Sequence, residues 1–176
     1  MIANISIVKP IDVPSGKVWA AIRNIDGLDR WFPVIESCRV EGEGVGAIRI
    51  LGLGDGGEIR DRIEEIDDHA RCFRYLRTHH PFPISSYRGK VSVRDAGDGK
   101  SEVTWAVVLD VAADARNKTL AFLGAVLSDG ISGLEQDLKP ERRASWAMGW
   151  PRRMNRLSGF AAQSDKTVSR ETFWYN

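Results

Sequence analysis

Val18-Trp19-Ala20-Ala21-Ile22-Arg23, followed after a short break by Leu28-Asp29-Arg30-Trp31-Phe32-Pro33, is the stretch that decides how the rest of the chain folds. Val18, Trp19, Ile22 and Ile25 recur at helical spacing, and Pro14 suits the first turn of that helix, where its missing N–H would have no intrahelical partner anyway. Asp26-Gly27 interrupts the run, and residues 28–34 read as a second short helix that ends near Pro33. Two short helices with bulky aromatic faces need an apolar surface to cover, and the flanking segments supply it.

Before them, residues 4–11 read as a strand. After them the apolar period changes from helical to two. Strands are expected at 37–41, 47–53, 58–66, 71–77, 84–94 and 101–111, separated by Gly- and Asp-bearing turns, which makes a meander of antiparallel hairpins. Leu120, Leu123, Leu127, Ile131, Leu134 and Leu138 then mark one face of a long helix that begins near Asp114. The fold class is therefore α+β: a curved seven-stranded antiparallel sheet around a long C-terminal helix, with the two short helices closing one mouth.

The order of elements, together with Val18-Trp19, Leu28-x-x-Trp31-x-Pro33, Gly44-x-Gly46-x-x-Arg49, Tyr87 and Val103-Thr104-Trp105, resembles the START-like helix-grip superfamily. The similarity is greatest to its polyketide cyclase/dehydrase (SRPBCC) branch and covers roughly residues 3–138. It implies an apolar cavity between sheet and helix that takes a lipid, polyketide or aromatic metabolite. It leaves two classes open, a carrier or sensor and a cyclase, aromatase or dehydratase, since shape in this superfamily does not fix activity.

Composition sets outer limits. The chain has 176 residues, 43% apolar and 28% charged, which fits one main domain with a sizeable core. No long apolar run or charged leader with an apolar core is evident, so neither an integral membrane segment nor a secretion signal is expected, and the expected location is cytoplasmic. Cys38 and Cys72 fall on separate expected strands without metal-ligand spacing and read as buried thiols.

Charge divides the chain. Residues 1–138 hold 17 Lys and Arg against 21 Asp and Glu, net −4, whereas 139–176 hold 8 against 3, net +5. The domain is accordingly placed at 1–138. Residues 139–176, with Trp146, Trp150 and Trp174 among arginines and serines, show no period and are expected to be a poorly ordered basic extension rather than a membrane or nucleic-acid binding segment.

Several motifs carry no chemistry. Gly52-Leu53-Gly54-Asp55-Gly56-Gly57 satisfies a dinucleotide fingerprint but lies between two strands, with no helix N-terminus to receive a phosphate. Asp95-Ala96-Gly97-Asp98-Gly99 is a hairpin turn with too few oxygen ligands for calcium. His79-His80-Pro81 lacks a third metal ligand, and Ser15, Ser85 and Ser86 lack a nucleophile-elbow context, so no metal, cofactor or hydrolase chemistry is expected.

Alternation singles out the candidate site. On 58–66, Ile59 and Ile63 face inward, and Asp61 between them shares their face. Phe73, Tyr75 and Arg77 share a face on the next strand, then Tyr87, Gly89 and Val91, then Trp105 and Val107. Simple hairpin pairing sets Asp61 opposite Tyr75, Tyr75 opposite Tyr87 and Tyr87 opposite Leu109, with Arg77 diagonal to Asp61. The expected ligand-binding set is Trp31, Phe32, Ile59, Asp61, Phe73, Tyr75, Arg77, Tyr87, Trp105, Val107 and Phe122. Asp61 is the one catalytic candidate: desolvation would raise its pKa for acid or base work beside Tyr75 or Tyr87. The alternative is that these polar groups only satisfy one another. Arg49 matches a position in the family pattern but, lying between Ile48 and Ile50, is expected to face outward and stays a secondary candidate only.

Overall fold

The computed structural model describes residues 1–139; the basic extension expected beyond them lies outside the described residues. β1 (Ile2–Ile11) leads into α1 (Ser15–Arg23) and a single 3₁₀ turn, Leu28–Arg30. Six strands follow: β2 (Ile35–Glu41), β3 (Ile48–Leu53), β4 (Glu58–Asp67), β5 (Cys72–His79), β6 (Ile84–Gly97) and β7 (Lys100–Val111). α2 (Arg116–Leu138) ends the described chain. The strands form one antiparallel sheet in the order β1-β7-β6-β5-β4-β3-β2, so every hairpin is local except the return of β1 to β7.

The turns explain the meander. In the β6–β7 hairpin Gly97, Asp98 and Gly99 all have positive φ, and the Asp95 carboxylate accepts the Gly97 N–H at 2.7 Å. In the β4–β5 turn Asp67 Oδ1 accepts the N–H groups of His69 and Ala70, at 2.9 and 2.8 Å. Bulges interrupt the β2–β3, β4–β5 and β6–β7 ladders, and a bulged strand bends. The bends let the sheet wrap α2.

α2 turns Leu123, Leu127, Ile131 and Leu134 into the core, where Trp19, Phe73, Trp105 and Leu109 are also buried. Two glycines let the segment after the 3₁₀ turn lie directly against it. A Cβ on Gly130 would stand 2.3 Å from the Phe32 ring, and one on Gly133 would stand 2.0 Å from the Trp31 carbonyl oxygen. α1 is tied to the β4–β5 turn: Trp19 Nε1 donates to Asp68 Oδ1 at 2.9 Å, and Arg23 pairs with the same carboxylate at 2.7 Å.

The second short helix is less than the sequence predicts. Helical structure stops at Arg30 instead of continuing to 34. Proline at 33 disfavours helical geometry at Phe32, and packing against the α2 glycines holds Trp31 and Phe32 in an irregular turn closed by Phe32 N–H to Leu28 O at 2.9 Å.

Candidate functional site

The inner face of β3–β7, the segment 32–36 and one side of α2 enclose a cavity of about 370 Å³, of the size of a small-molecule site. Its wall is mostly apolar, with Leu28, Phe32, Leu51, Ile59, Leu123 and Leu127 among the lining residues. One part of the wall is charged. Arg49, Asp61 and Arg77 are cross-strand neighbours on β3, β4 and β5, with Arg49 opposite Asp61 and Asp61 opposite Arg77.

Asp61 is fully buried, and Arg49 is 4% exposed. Arg77 Nε donates to Asp61 Oδ1 at 2.9 Å, while Arg77 Nη2 and Arg49 Nη2 donate to Oδ2 at 3.4 and 3.2 Å. Both guanidinium groups also lie over aromatic rings: Arg77 is 4.1 Å from the Tyr87 centroid, and Arg49 is 5.3 Å from Tyr75 and 5.5 Å from Phe73. Such faces attract cations.

This geometry settles the protonation of the group. Burial pushes the Asp61 pKa upward, but the charges and hydrogen bonds of Arg77 and Arg49 outweigh it and hold the carboxyl below its ordinary 3.8. The expectation of a raised pKa is therefore corrected, because the sequence reading did not count the second guanidinium. Arg77 loses from burial and gains more from Asp61, so its pKa is raised. Burial raises both Tyr75 and Tyr87, which stay protonated.

Tyr75 is set by a neighbour without a side chain. Its ring lies across Gly89 of β6, where a Cβ would fall 2.1 Å from the ring carbon that bears the hydroxyl. From there its hydroxyl accepts the Trp105 Nε1–H at 3.1 Å. Gly89→Ala is expected to push the ring off β6, break that hydrogen bond and cost about 1–3 kcal/mol. Chemical unfolding measures the loss, and an altered tryptophan emission spectrum reports the displaced ring.

Of the residues picked out from sequence, Phe32, Ile59, Asp61, Tyr75, Arg77, Tyr87, Trp105 and Phe122 line the cavity. Phe122 does so at the mouth, where it is 43% exposed. Trp31, Phe73 and Val107 are buried but are not among the lining residues. Trp31 is turned toward Phe32 and Trp105, with ring centroids 6.0 and 6.3 Å away. Phe73 stands behind the Arg49 guanidinium, and Val107 pairs with Gly89.

Two placements are corrected. Arg49 faces inward: Ile50, on the opposite face, is also buried, so burial along β3 does not alternate and the flanking isoleucines are no guide. The pairings of Asp61 and Tyr75 are displaced by two residues. Asp61 faces Arg77 where Tyr75 was expected, and Tyr75 faces Gly89 where Tyr87 was expected; Tyr87 does face Leu109. Apart from Arg49, sequence reasoning also missed Leu51, Phe82 and Val126 as lining residues. Leu51 shares the inward face of β3 with Arg49, so the outward reading of Arg49 hid it as well. His80 stacks on Phe82 with 6.0 Å between centroids.

Residues 3–139 match the profile of a family described as polyketide cyclase / dehydrase and lipid transport. The abscisic acid receptor PYL2 of Arabidopsis thaliana is 27% identical over 109 residues, 59% of this chain, and the match spans 57% of that receptor's length. Among solved structures, XoxI of Bacillus cereus superposes with a TM-score of 0.71 at 25% identity, covering 77% of this chain and 95% of that one. The Zhui aromatase/cyclase of a Streptomyces species superposes with a TM-score of 0.67 at 15% identity, over 82% of this chain and 98% of that one, a likeness of fold alone. The seven-stranded sheet curved around α2 is the START-like arrangement, and the chain belongs to the polyketide cyclase/dehydrase and lipid-transport family.

Proposed function

We propose that the protein holds a small, largely apolar molecule in the cavity between sheet and α2 as a carrier or sensor. The observation that carries this reading is the pairing of an apolar wall with one buried polar cluster, Arg49, Asp61, Arg77, Tyr75 and Tyr87, at one place in it. An apolar wall supplies affinity through the surface it removes from water, and one polar spot orients the guest. The family and the hormone receptor to which the chain is similar support ligand binding in general.

The cyclase or dehydratase reading has less behind it. A general acid needs a proton to give, and Asp61 is held ionised with both oxygens occupied by guanidinium donors. Tyr75 and Tyr87 remain as hydrogen-bond donors, which orient a carbonyl as well in a carrier as in an enzyme.

The test uses N-phenyl-1-naphthylamine, a neutral dye that brightens in apolar surroundings. It is expected to titrate to one saturable site per chain. Val126→Trp, which projects an indole into the cavity from half-buried α2 surface, is expected to weaken that binding by about tenfold or more, a loss of about 1.4 kcal/mol, while cooperative melting persists. Undiminished binding in a folded Val126→Trp protein would remove the internal site. Native mass spectrometry of protein from its own host would then show the mass of the guest.

A further inference from the structure

The charged part of the cavity wall does not balance. Arg49 and Arg77 bring two positive charges, Asp61 brings one negative charge, and all three are buried or nearly so. Buried charges are ordinarily compensated. Arg77 is: Nε and Nη2 both reach Asp61, and its guanidinium carbon Cζ lies 4.1 Å from the Tyr87 ring centre. Arg49 is not. It reaches Asp61 through Nη2 alone, at 3.2 Å, and its Nε–H is buried without a hydrogen-bond partner among the described residues.

The aromatic faces of Phe73 and Tyr75 attract the Arg49 charge but offer no acceptor for an in-plane N–H. Two further acidic residues border the cavity, Glu36 and Asp55, and both are exposed at the mouth, where water screens them. An apolar chamber thus holds one surplus positive charge and one unused donor on the same guanidinium.

Resting on the binding function proposed above, we infer that the guest is an apolar acid, ionised at neutral pH, whose anionic oxygens are received by Arg49. A carboxylate or enolate oxygen on the Arg49 guanidinium would bring the buried charge to zero, and one that reached Nε through a small shift of the side chain would use the unpaired donor as well. Hydrogen bonds between ions are stronger and shorter than neutral ones, and a guanidinium presents its donors in a fork suited to two oxygens. A neutral ester could offer its carbonyl to the donor but would leave the charge uncompensated, and a hydrocarbon would leave both. The wall therefore discriminates between an acid and its ester.

The experiment compares two dyes with one body, neutral N-phenyl-1-naphthylamine and its sulfonate, 8-anilinonaphthalene-1-sulfonate, which is anionic at every working pH. In Arg49→Gln the Arg77–Asp61 pair remains as a neutral one-to-one pair, so the fold is expected to persist. The sulfonate is expected to lose about tenfold in affinity relative to the neutral dye, whereas Arg49→Lys, which keeps the charge, is expected to retain most of the preference. Should Arg49→Gln fail to fold, Arg49→Met removes the same charge and is expected to shift the ratio equally. A ratio unchanged within about twofold in a folded neutral variant overturns the inference while neutral-dye binding leaves the cavity function standing. Failure of both dyes to bind the parent protein, or indifference of both to Val126→Trp, overturns the cavity function and this inference with it.

Discussion

Asp61→Asn is expected to destabilise the fold by about 3–5 kcal/mol at neutral pH, measured as a lower urea midpoint with an unchanged slope. The amide keeps the shape of the carboxylate but leaves the charges of Arg49 and Arg77 without a counter-charge in a place where Asp61 has no exposure. The loss should depend on pH in a definite sense. The folded pKa of Asp61 lies below its ordinary 3.8, so its ionisation stabilises the fold above that value. That contribution fades as pH falls from about 4 through the lower folded pKa, and the gap between parent and variant should narrow over that window. A gap that stays constant down to pH 2 would mean that the ion cluster is not its source. Replacing the three residues together with Met, Leu and Met is expected to recover most of the loss, because the expense lies in leaving a buried charge unpaired.

Gly133→Ala is expected to destabilise the protein by about 1–3 kcal/mol, although alanine favours a helix interior over glycine by about 1 kcal/mol. The new methyl would sit 2.0 Å from the Trp31 carbonyl oxygen, a backbone atom fixed by the 3₁₀ turn on one side and Pro33 on the other. Gly130→Ala provides the internal comparison. Its methyl meets the edge of the Phe32 ring at 2.3 Å, and a ring can swing. Because Phe32 lines the cavity, that variant is expected to lose dye affinity more than stability. Equal melting temperatures for the two variants would show that the 31–33 segment yields as easily as a side chain.

How much of this was legible in the sequence can be judged at Asp61. Its face was readable, because side chains alternate and Ile59 and Ile63 fix which side is inward. Its partner was not. The β4–β5 turn runs through Arg71, which takes a positive φ of 48°, and a bulge between Ile63 and Glu65 takes one more residue out of the ladder. Neither leaves a mark in the apolar pattern, and a two-residue displacement keeps every side chain on its face. The β6–β7 hairpin, with its Gly-Asp-Gly turn, announced its own register, and there Tyr87 does oppose Leu109. Arg49 was hidden for a different reason: β3 buries Arg49, Ile50 and Leu51 in succession, so alternation disappears where it was needed.

The straight row of Arg49, Asp61 and Arg77 across three adjacent strands also bears on how the chain avoids misfolding. Hydrophobic patterning alone is indifferent to a slip of β4 by two residues, since Ile59 or Ile63 would simply take the place of Asp61 on the same face. Such a slip would set an isoleucine between two guanidinium groups and carry the carboxylate to a level where no cation meets it. Electrostatics thus penalises the one family of mispairings that the greasy residues tolerate, and the three charges act as a registration key for the central hairpins. The price in native stability is the surplus charge that remains in the cavity once the key has turned.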